Sequence, residues 1–246
     1  MVYNDLIFIH IPKTGGSSIR SSLANNYKLL YNATEQNFIK LGYSNLTNFE
    51  NYNFSIHNFK DHLPYQIIKK NKLEKNKYVF TFLRNPFSRI VSIYFEWANN
   101  PILIDDGINV NKNINFEKFI DIIIEKPYWF SLPMIDYIGN KNIKDVDFFG
   151  RFENFENDIL KLKKKINISI KHHNFNNIIN SKFKFANYSK FYSNNKIIDK
   201  VSSYYEEDLN TFKYDYEQFL DFEKKKIKLT TIFSKILKKK FINIFH

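Results

Sequence analysis

The feature that most constrains the fold is a short apolar run that ends at a proline and is followed within three residues by two adjacent glycines. Residues Leu6 to Ile11 are apolar except for His10, which is typical of a buried strand. From Ser17 onward, apolar residues recur at helical spacing. We therefore predict a strand, a tight turn and a helix with serine at its N-cap. The turn is Pro12-Lys13-Thr14-Gly15-Gly16-Ser17-Ser18, and the helical positions are Ile19, Leu23, Tyr27 and Leu30.

A turn of this composition can bind a phosphate group. Glycines allow a tight turn whose backbone N–H groups converge, and the helix N-terminus adds partial positive charge. Lys13 supplies a mobile cation, and the hydroxyls of Thr14, Ser17 and Ser18 can donate to phosphate oxygens. The Walker pattern GxxxxGK[ST] is not matched, because here the lysine precedes the glycines. The alternative is an ordinary turn, with glycine for conformation and serine as a cap.

A second apolar run, Tyr78 to Leu83, ends at Arg84 and leads into the sequence RNPFSRIVSIY. Pro86 fits the first turn of the following helix, and Ser92 lies about two turns into it. An arginine at the carboxyl end of a parallel strand faces the crevice where open sheets bind ligands, and its guanidinium can hold a phosphate. Arg84 and Ser92 are therefore candidate phosphate ligands. The alternative is that Arg84 and Arg89 are surface charges and that Ser92 only fills a helix position.

The remaining apolar segments continue the order of strands and helices. Strands that alternate with helices predict an α/β fold, a P-loop-like parallel β-sheet flanked by helices on both faces. We predict one domain over residues 1–221 and a tail over residues 222–246. The additional predicted elements are strands at Asn53–Phe59 and Asp147–Gly150, helices from Phe116 to Lys126, from Phe155 to Ile166 and from Ile197 to Phe212, a loop at Pro101–Asn115 and an irregular segment at His172–Ser193.

Charge and composition narrow the partners without choosing among them. A formal net charge of +12 favours anionic partners, among them nucleic acid, acidic lipid, an anionic sugar and a phosphorylated nucleotide. Cysteine is absent, which suits a reducing compartment, and no cysteine or histidine spacing typical of a metal site occurs. The N-terminal apolar run is too short for a signal peptide core with its flanks or for a membrane span. We expect a cytoplasmic protein without a metal.

The tail after residue 221 alternates lysines with apolar residues and predicts a basic amphipathic helix. Lys224, Lys225 and Lys226 open this pattern, and further lysines follow up to Lys240. Such a helix can lie on a membrane surface as a peripheral contact. Alternatively, it packs on the body of the protein and presents its lysines to water.

The two motifs together resemble the signatures by which sulfotransferases bind 3′-phosphoadenosine 5′-phosphosulfate (PAPS), namely the 5′-phosphosulfate loop and the 3′-phosphate strand and helix. The form PKTGGSS followed by RNPxxRxxSxY is similar to the carbohydrate sulfotransferase branch related to heparan 2-O and chondroitin/HNK-1 enzymes. The segments Gly150 to Asn154 and Tyr204 to Tyr214 also resemble parts of that branch.

The resemblance implies transfer of a sulfo group from PAPS, as cosubstrate, to an acceptor hydroxyl of a carbohydrate. It implies that Lys13 contacts the bridging oxygen and the sulfo group, and that the loop amides with the Ser17 and Ser18 hydroxyls hold the 5′-phosphate. Arg84 and Ser92 would hold the 3′-phosphate. The implied cofactor-binding residues are Lys13, Thr14, Gly15, Gly16, Ser17, Ser18, Arg84 and Ser92.

Transfer to a hydroxyl also needs a base, and histidine suits that role near neutral pH. Related carbohydrate sulfotransferases carry a catalytic histidine at the end of the strand after the first helix, and His57 fits that position, although Ile56 stands where that branch has glycine. We therefore predict His57 as the base. His62 is the second candidate, and a carboxylate such as Glu96 or Asp61 is the third.

Three other functions remain open at this point. A P-loop kinase or NTPase is disfavoured by the position of Lys13 and by the lack of a Walker-B acidic strand end. A nucleic-acid-binding protein would fit the charge, but no recognised module or basic-aromatic repeat is present, so we expect no nucleic acid partner. A protein that has kept the fold and lost turnover is the third alternative.

Overall fold

Five strands form one sheet in the part of the chain that the computed structural model describes, residues 1–24, 27–31, 61–99, 114–166 and 187–228. The strand order is β3-β1-β2-β4-β5, in which β2, β4 and β5 are parallel and β1 runs antiparallel to both of its neighbours. The strands are β1 Val2–Tyr3, β2 Leu6–Ile9, β3 Leu29–Tyr31, β4 Tyr78–Leu83 and β5 Phe148–Arg151. The predicted α/β class with a parallel core is confirmed, and the two antiparallel strands extend it.

The helices include those that the sequence predicts and two short ones that it does not, at Tyr65–Lys70 and Met134–Ile138. They are α1 Gly16–Ala24, α2 Tyr65–Lys70, α3 Pro86–Asn99, α4 Phe116–Glu125, α5 Met134–Ile138, α6 Phe155–Ile166, α7 Asn195–Tyr204, α8 Glu206–Phe212 and α9 over residues 216–228, with 3-10 turns at Asn140–Asp145, Phe152–Asn154 and Tyr188–Phe191. The predicted helices that begin at Phe116 and Phe155, and the strand near Asp147, are therefore confirmed to within about one residue.

The alternation of side chains along the parallel strands gives the sheet two apolar faces. Ile7 and Ile9 of β2 belong to one buried cluster, which α2 and α5 cover. Leu6 and Phe8 of the same strand belong to a second cluster, which α1 and α6 cover. β4 divides its side chains in the same way, so both faces of the sheet are buried under helices, as predicted.

A third apolar cluster lies away from the sheet and fixes α3. It joins residues of α3 to residues of α4, α7 and α9, including Phe87, Phe116, Ile197 and Phe219. The hydroxyl of Tyr192 reaches into it and donates to the carbonyl of Phe87, 2.6 Å away. The helix that carries the second motif is therefore held by packing on the side opposite the sheet.

Two sequence predictions about helix length are wrong. The helical spacing that reaches Leu30 ends at Ala24, because Leu29 and Tyr31 pair with β1 as a strand. The single helix predicted up to Phe212 is two helices that meet at Tyr205. The hydroxyl of Tyr205 donates to the buried carbonyl of Ser131, 2.7 Å away, so a tertiary contact lies where the helix is interrupted.

Several predicted segments lie outside the described residues: the strand Asn53–Phe59, most of the loop Pro101–Asn115, the first part of His172–Ser193 and the tail beyond residue 228. Helix α9 runs through residue 221 without interruption, and the division into a domain and a tail stays a prediction. No helix among the described residues is long and apolar enough to cross a membrane.

Candidate active site

The two sequence motifs meet at one edge of the sheet. β2 and β4 are parallel neighbours with Ile9 opposite Thr81, so the segments that follow both strands leave the sheet side by side. The Nη1 atom of Arg84 donates a hydrogen bond to the carbonyl oxygen of Lys13, 3.1 Å away. A glycine loop and an arginine far apart in the sequence thus form one site at the carboxyl ends of the strands, where open α/β sheets bind ligands.

The loop between β2 and α1 has a strained backbone. Lys13 has a φ of 64° and Gly15 a φ of 92°, and both lie in the left-handed region. For a residue with a side chain this conformation costs on the order of 1 kcal/mol, and such strain clusters at functional sites. The hydroxyl of Thr14 donates to the carbonyl of Ile11, 2.9 Å away, and thereby closes the turn from inside.

The start of α1 is fitted closely against its surroundings. A Cβ atom on Gly16 would lie 2.0 Å from Cδ2 of His10, so only glycine leaves room for that ring. A Cβ atom on Gly15 would lie 2.9 Å from the ring of Phe155. Ser17 is exposed, whereas Ser18 is buried. The backbone therefore occupies a defined position, from which N–H groups at the helix start can face an anion.

Lys13 points away from the loop toward α3. Its Nζ lies 3.0 Å from Oε2 of Glu96, and the two side chains are 31% and 53% exposed. An ion pair this exposed stabilises by no more than about 1 kcal/mol, so the ammonium can exchange Glu96 for a bound anion. Ser88, Ser92 and Glu96 follow one another at intervals of four residues on α3 and therefore share a face.

Arg84 is buried and is held in place by neutral groups. Its Nε donates to Oγ of Ser88, 2.9 Å away, and its guanidinium lies over the ring of Phe152, 4.1 Å from the centroid. The ring of Tyr188 is also near, with its centroid 5.8 Å from Cζ. The hydrogen bonds to Ser88 and Lys13 fix the plane of the guanidinium through neutral acceptors, and the Glu153 carboxylate is near enough to interact with its charge. Such a cation is ready for an anionic ligand.

Arg89 has a different role from the one that the sequence suggested. It is fully buried, so its interpretation as a surface charge is wrong. Its Nε donates to the carbonyl of Pro12 (2.9 Å), its Nη1 to that of Leu132 (2.8 Å) and its Nη2 to that of Phe130 (3.2 Å). Arg89 therefore fixes the first residue of the loop to the segment that precedes α5.

Glu153 supports the turn between Arg84 and α3. Its Oε1 accepts from the backbone N–H of Asn85 (2.7 Å), and its Oε2 accepts from the hydroxyl of Tyr214 (3.1 Å). Burial raises the pKa of Glu153, and the hydrogen bond from Asn85 opposes that shift. The side chain of Arg151, at the end of β5, donates to the carbonyl of Phe212, 2.6 Å away.

Of the two candidate histidines, only His62 lies in the part of the chain that the structure describes. His57 lies outside the described residues. His62 is partly buried, with Nδ1 2.7 Å from the carbonyl oxygen of His10. Because a carbonyl can only accept, Nδ1 carries the hydrogen and Nε2 carries the lone pair. Burial lowers the pKa of His62 to about 4, so it is neutral at pH 7.

Two histidine rings connect His62 to the loop. The ring centroids of His10 and His62 lie 4.1 Å apart. The His10 ring also occupies the space that a Cβ atom on Gly16 would need. Burial lowers the pKa of His10 well below the ordinary value. Asp61, the other candidate beside His62, forms an ion pair with Arg20.

Sequence reasoning missed the residues that orient Arg84. Ser88 lies one helical turn after Arg84 and could have been found from that spacing. Phe152 and Tyr188 have no local signal, because only the fold brings them to Arg84. Among the described residues, no group of three or more His, Cys, Asp or Glu side chains could hold a metal ion.

Comparison with known proteins gives a family and two more distant likenesses. A family model described as "Sulfotransferase family" matches residues 3–215. A protein of Archaeoglobus fulgidus described as uncharacterized is 32% identical over 102 residues, which cover 39% of this chain and 73% of that protein. A crystal structure of mouse sulfotransferase SULT7A1 complexed with PAP covers 78% of this chain and 67% of that one, with 19% identity and a TM-score of 0.42.

Proposed function

The chain belongs to the sulfotransferase family, and we propose that it transfers the sulfo group of PAPS to an acceptor hydroxyl of a carbohydrate. The observation that carries the proposal is the hydrogen bond from Arg84 to the carbonyl of Lys13. It joins an anion-binding loop to a buried cation at one edge of the sheet. A donor with a phosphosulfate at one end and a phosphate at the other needs two such positions.

The donor groups suit such a molecule. The amides at the start of α1, with the Ser17 and Ser18 hydroxyls, would hold the 5′-phosphate, and Arg84 with Ser92 would hold the 3′-phosphate. Ser92 lies on the face of α3 that turns from Arg84 toward Glu96, and it is partly exposed. Each assigned group is a positive charge or a hydrogen-bond donor, N–H or O–H, that can bind an anion.

In the proposed reaction, the lysine and the base have separate roles. PAPS supplies the sulfo group and a phosphate leaving group. The Lys13 ammonium stabilises the negative charge that develops on the bridging oxygen. The acceptor oxygen forms a bond to sulfur as the bond from sulfur to the bridging oxygen breaks, and the hydroxyl proton passes to a base of the protein.

We assign the base to His62, and His57 stays the alternative that the resemblance suggests. His62 is neutral, and the His10 carbonyl fixes its tautomer with the lone pair on Nε2. The negative charge of a bound sulfo donor would raise the pKa of His62 toward the range in which a base works at neutral pH. Glu96 is the third candidate, because its carboxylate already lies beside Lys13.

Calorimetry with two nucleotides tests the donor. 3′-Phosphoadenosine 5′-phosphate (PAP) should bind about ten- to a hundredfold more tightly than AMP, because Arg84 makes charge-assisted bonds with the 3′-phosphate. Arg84→Gln should remove most of this preference, whereas Glu125→Gln, an exposed change at the end of α4, should keep it. Equal affinity for PAP and AMP in the wild type would reject PAPS as the donor.

The acceptor class needs a separate measurement. Labelled PAPS should transfer sulfate to an oligosaccharide more readily than to a phenol or a peptide tyrosine of equal concentration. Transfer to the phenol alone would retain the sulfotransferase and reject the carbohydrate. ATP hydrolysis without any use of PAPS would favour the NTPase alternative. The cytoplasmic location and the peripheral membrane contact of residues 222–246 stay predictions.

A further inference from the structure

Helix α9 packs against the two aromatic residues that flank Arg84, Phe152 and Tyr188. Glu223 is 1% exposed, and its Oε2 accepts from the backbone N–H of Tyr188, 2.9 Å away. The ring of Phe222 contacts that of Phe152, with centroids 6.4 Å apart. Tyr188 and Phe152 are the two rings that flank Arg84. The first part of the predicted tail is therefore a wall of the candidate site.

Lys226 reaches the same ring as Arg84 from this helix. Its Nζ lies 4.0 Å from the centroid of Tyr188, and 2.8 and 2.9 Å from the two carboxylate oxygens of Glu223. Arg84 lies 5.8 Å from the same centroid. The two cations are thus at most about 10 Å apart, which is about one Debye length at 0.1 M salt, and partly buried charges are screened less than exposed ones.

This pair of like charges is unfavourable in the protein alone. Burial lowers the pKa of Lys226, and the charge of Arg84 lowers it further, while Glu223 opposes both effects. Glu223 also accepts a hydrogen bond from Tyr188, so it serves the backbone as well as the lysine. An anion bound beside both cations would attract each of them and thereby offset their mutual repulsion.

We infer that Lys226 is part of the nucleotide site and binds the same phosphate group as Arg84, an inference that rests on the proposed function. Lys226 then supplies charge from α9, and Arg84 supplies charge from the end of β4. Binding of the 3′-phosphate would connect α9 to the carboxyl end of β4. Lys226 is a ligand-binding residue in this assignment, and it takes no part in moving the proton.

The two preceding lysines provide a matched control. Lys224 and Lys225 are exposed, and Lys224 pairs with Asp221 at the surface. The side chain of Lys226 is only 21% exposed. A Lys→Gln change removes one charge at any of these positions, but only at Lys226 does it remove the cation beside Tyr188. General electrostatic attraction and a specific contact can therefore be separated.

The experiment is calorimetry of PAP and AMP with the full chain and three variants. Lys226→Gln should weaken PAP binding roughly ten- to a hundredfold and leave AMP binding within about threefold of the wild type. Lys225→Gln should change both affinities by less than about threefold. Lys226→Arg keeps the charge and the partner Glu223, so it should retain most of the PAP affinity.

Three outcomes would overturn the inference, and a fourth would reject the proposed function on which it rests. Equal losses in Lys226→Gln and Lys225→Gln would make the effect one of net charge. Equal losses for PAP and AMP in Lys226→Gln would give Lys226 a role in holding the fold and none at the 3′-phosphate. If the wild type prefers PAP to AMP and Lys226→Gln binds PAP as tightly as the wild type does, only this inference is rejected. A wild type without that preference would reject the proposed function itself.

Discussion

Arg84 and Arg89 belong to one sequence motif, yet they occupy different environments. Arg89 is fully buried and uses Nε and both terminal nitrogens on three backbone carbonyls. Arg84 lies at the end of β4, bonds to Ser88 and to the Lys13 carbonyl, and stacks on Phe152. An arginine saturated by the backbone stabilises the loop, whereas one held by neutral groups beside a loop can serve a ligand. The motif alone does not separate the two roles.

Of the variants considered, a replacement of Arg89 should have the largest effect on the free energy of unfolding. Arg89→Met leaves three carbonyls without their buried donor, and we expect the free energy of unfolding to fall by about 3–5 kcal/mol. Urea unfolding followed by circular dichroism measures this loss. Arg84→Met is the control and should cost less than half as much, while abolishing the preference for PAP. Equal losses of stability would contradict the distinction between the two arginines.

The assignment of the base predicts a loss of turnover with nearly unchanged nucleotide affinity. His62→Ala should lower kcat about a hundred- to ten-thousandfold, the usual contribution of a positioned base. His57→Ala is the matched control and should stay within a few-fold of the wild type. The reverse result would move the role to His57. If both variants remain active, the base is a carboxylate, and Glu96→Gln is the next variant to measure.

Lys13 should behave in the opposite way to Arg89. Lys13→Ala is expected to reduce turnover about a hundredfold and to weaken PAP binding much less, because the ammonium acts on charge that develops during transfer. Lys13→Gly should lose the same activity but be more stable than Lys13→Ala by about 1 kcal/mol, because glycine has no Cβ penalty at positive φ. Glycine and alanine variants of equal stability would show that the loop is not strained.

The pH dependence of stability tests the burial of His62. Its pKa is about 4 in the folded protein and near 6.5 when exposed, so between these values the unfolded chain binds the proton and stability falls as the pH falls. From pH 7 to pH 5 the wild type should lose about 2 kcal/mol relative to His62→Gln. The comparison is needed because burial raises the pKa of Asp208 to about 6, so the folded protein takes up a proton there and gains stability as the pH falls over the same interval. Parallel pH curves would contradict the burial.

The sequence predicted those parts of the site whose information is local. An apolar run, a glycine turn and a helix are specified by neighbouring residues, and so is Arg84 at the end of β4. The role of Arg89 could not be predicted, because its three acceptors lie in two distant segments. Strand β3 could not be predicted either, because Leu30 continues the helical spacing from Tyr27, and the segment becomes a strand only through the pairing of Leu29 and Tyr31 with β1.

The missing Cβ of Gly16 makes residues 10 and 16 dependent on each other. A methyl group at position 16 would lie 2.0 Å from the His10 ring, and the ring itself contacts that of His62. Gly16→Ala should therefore be harmful alone and tolerated together with a smaller residue at position 10, so the two changes are expected to be strongly non-additive. Among homologous sequences, a small residue at position 10 would then permit a larger one at position 16. A pattern search that requires both loop glycines would pass over such sequences, although their backbone could bind the same anion.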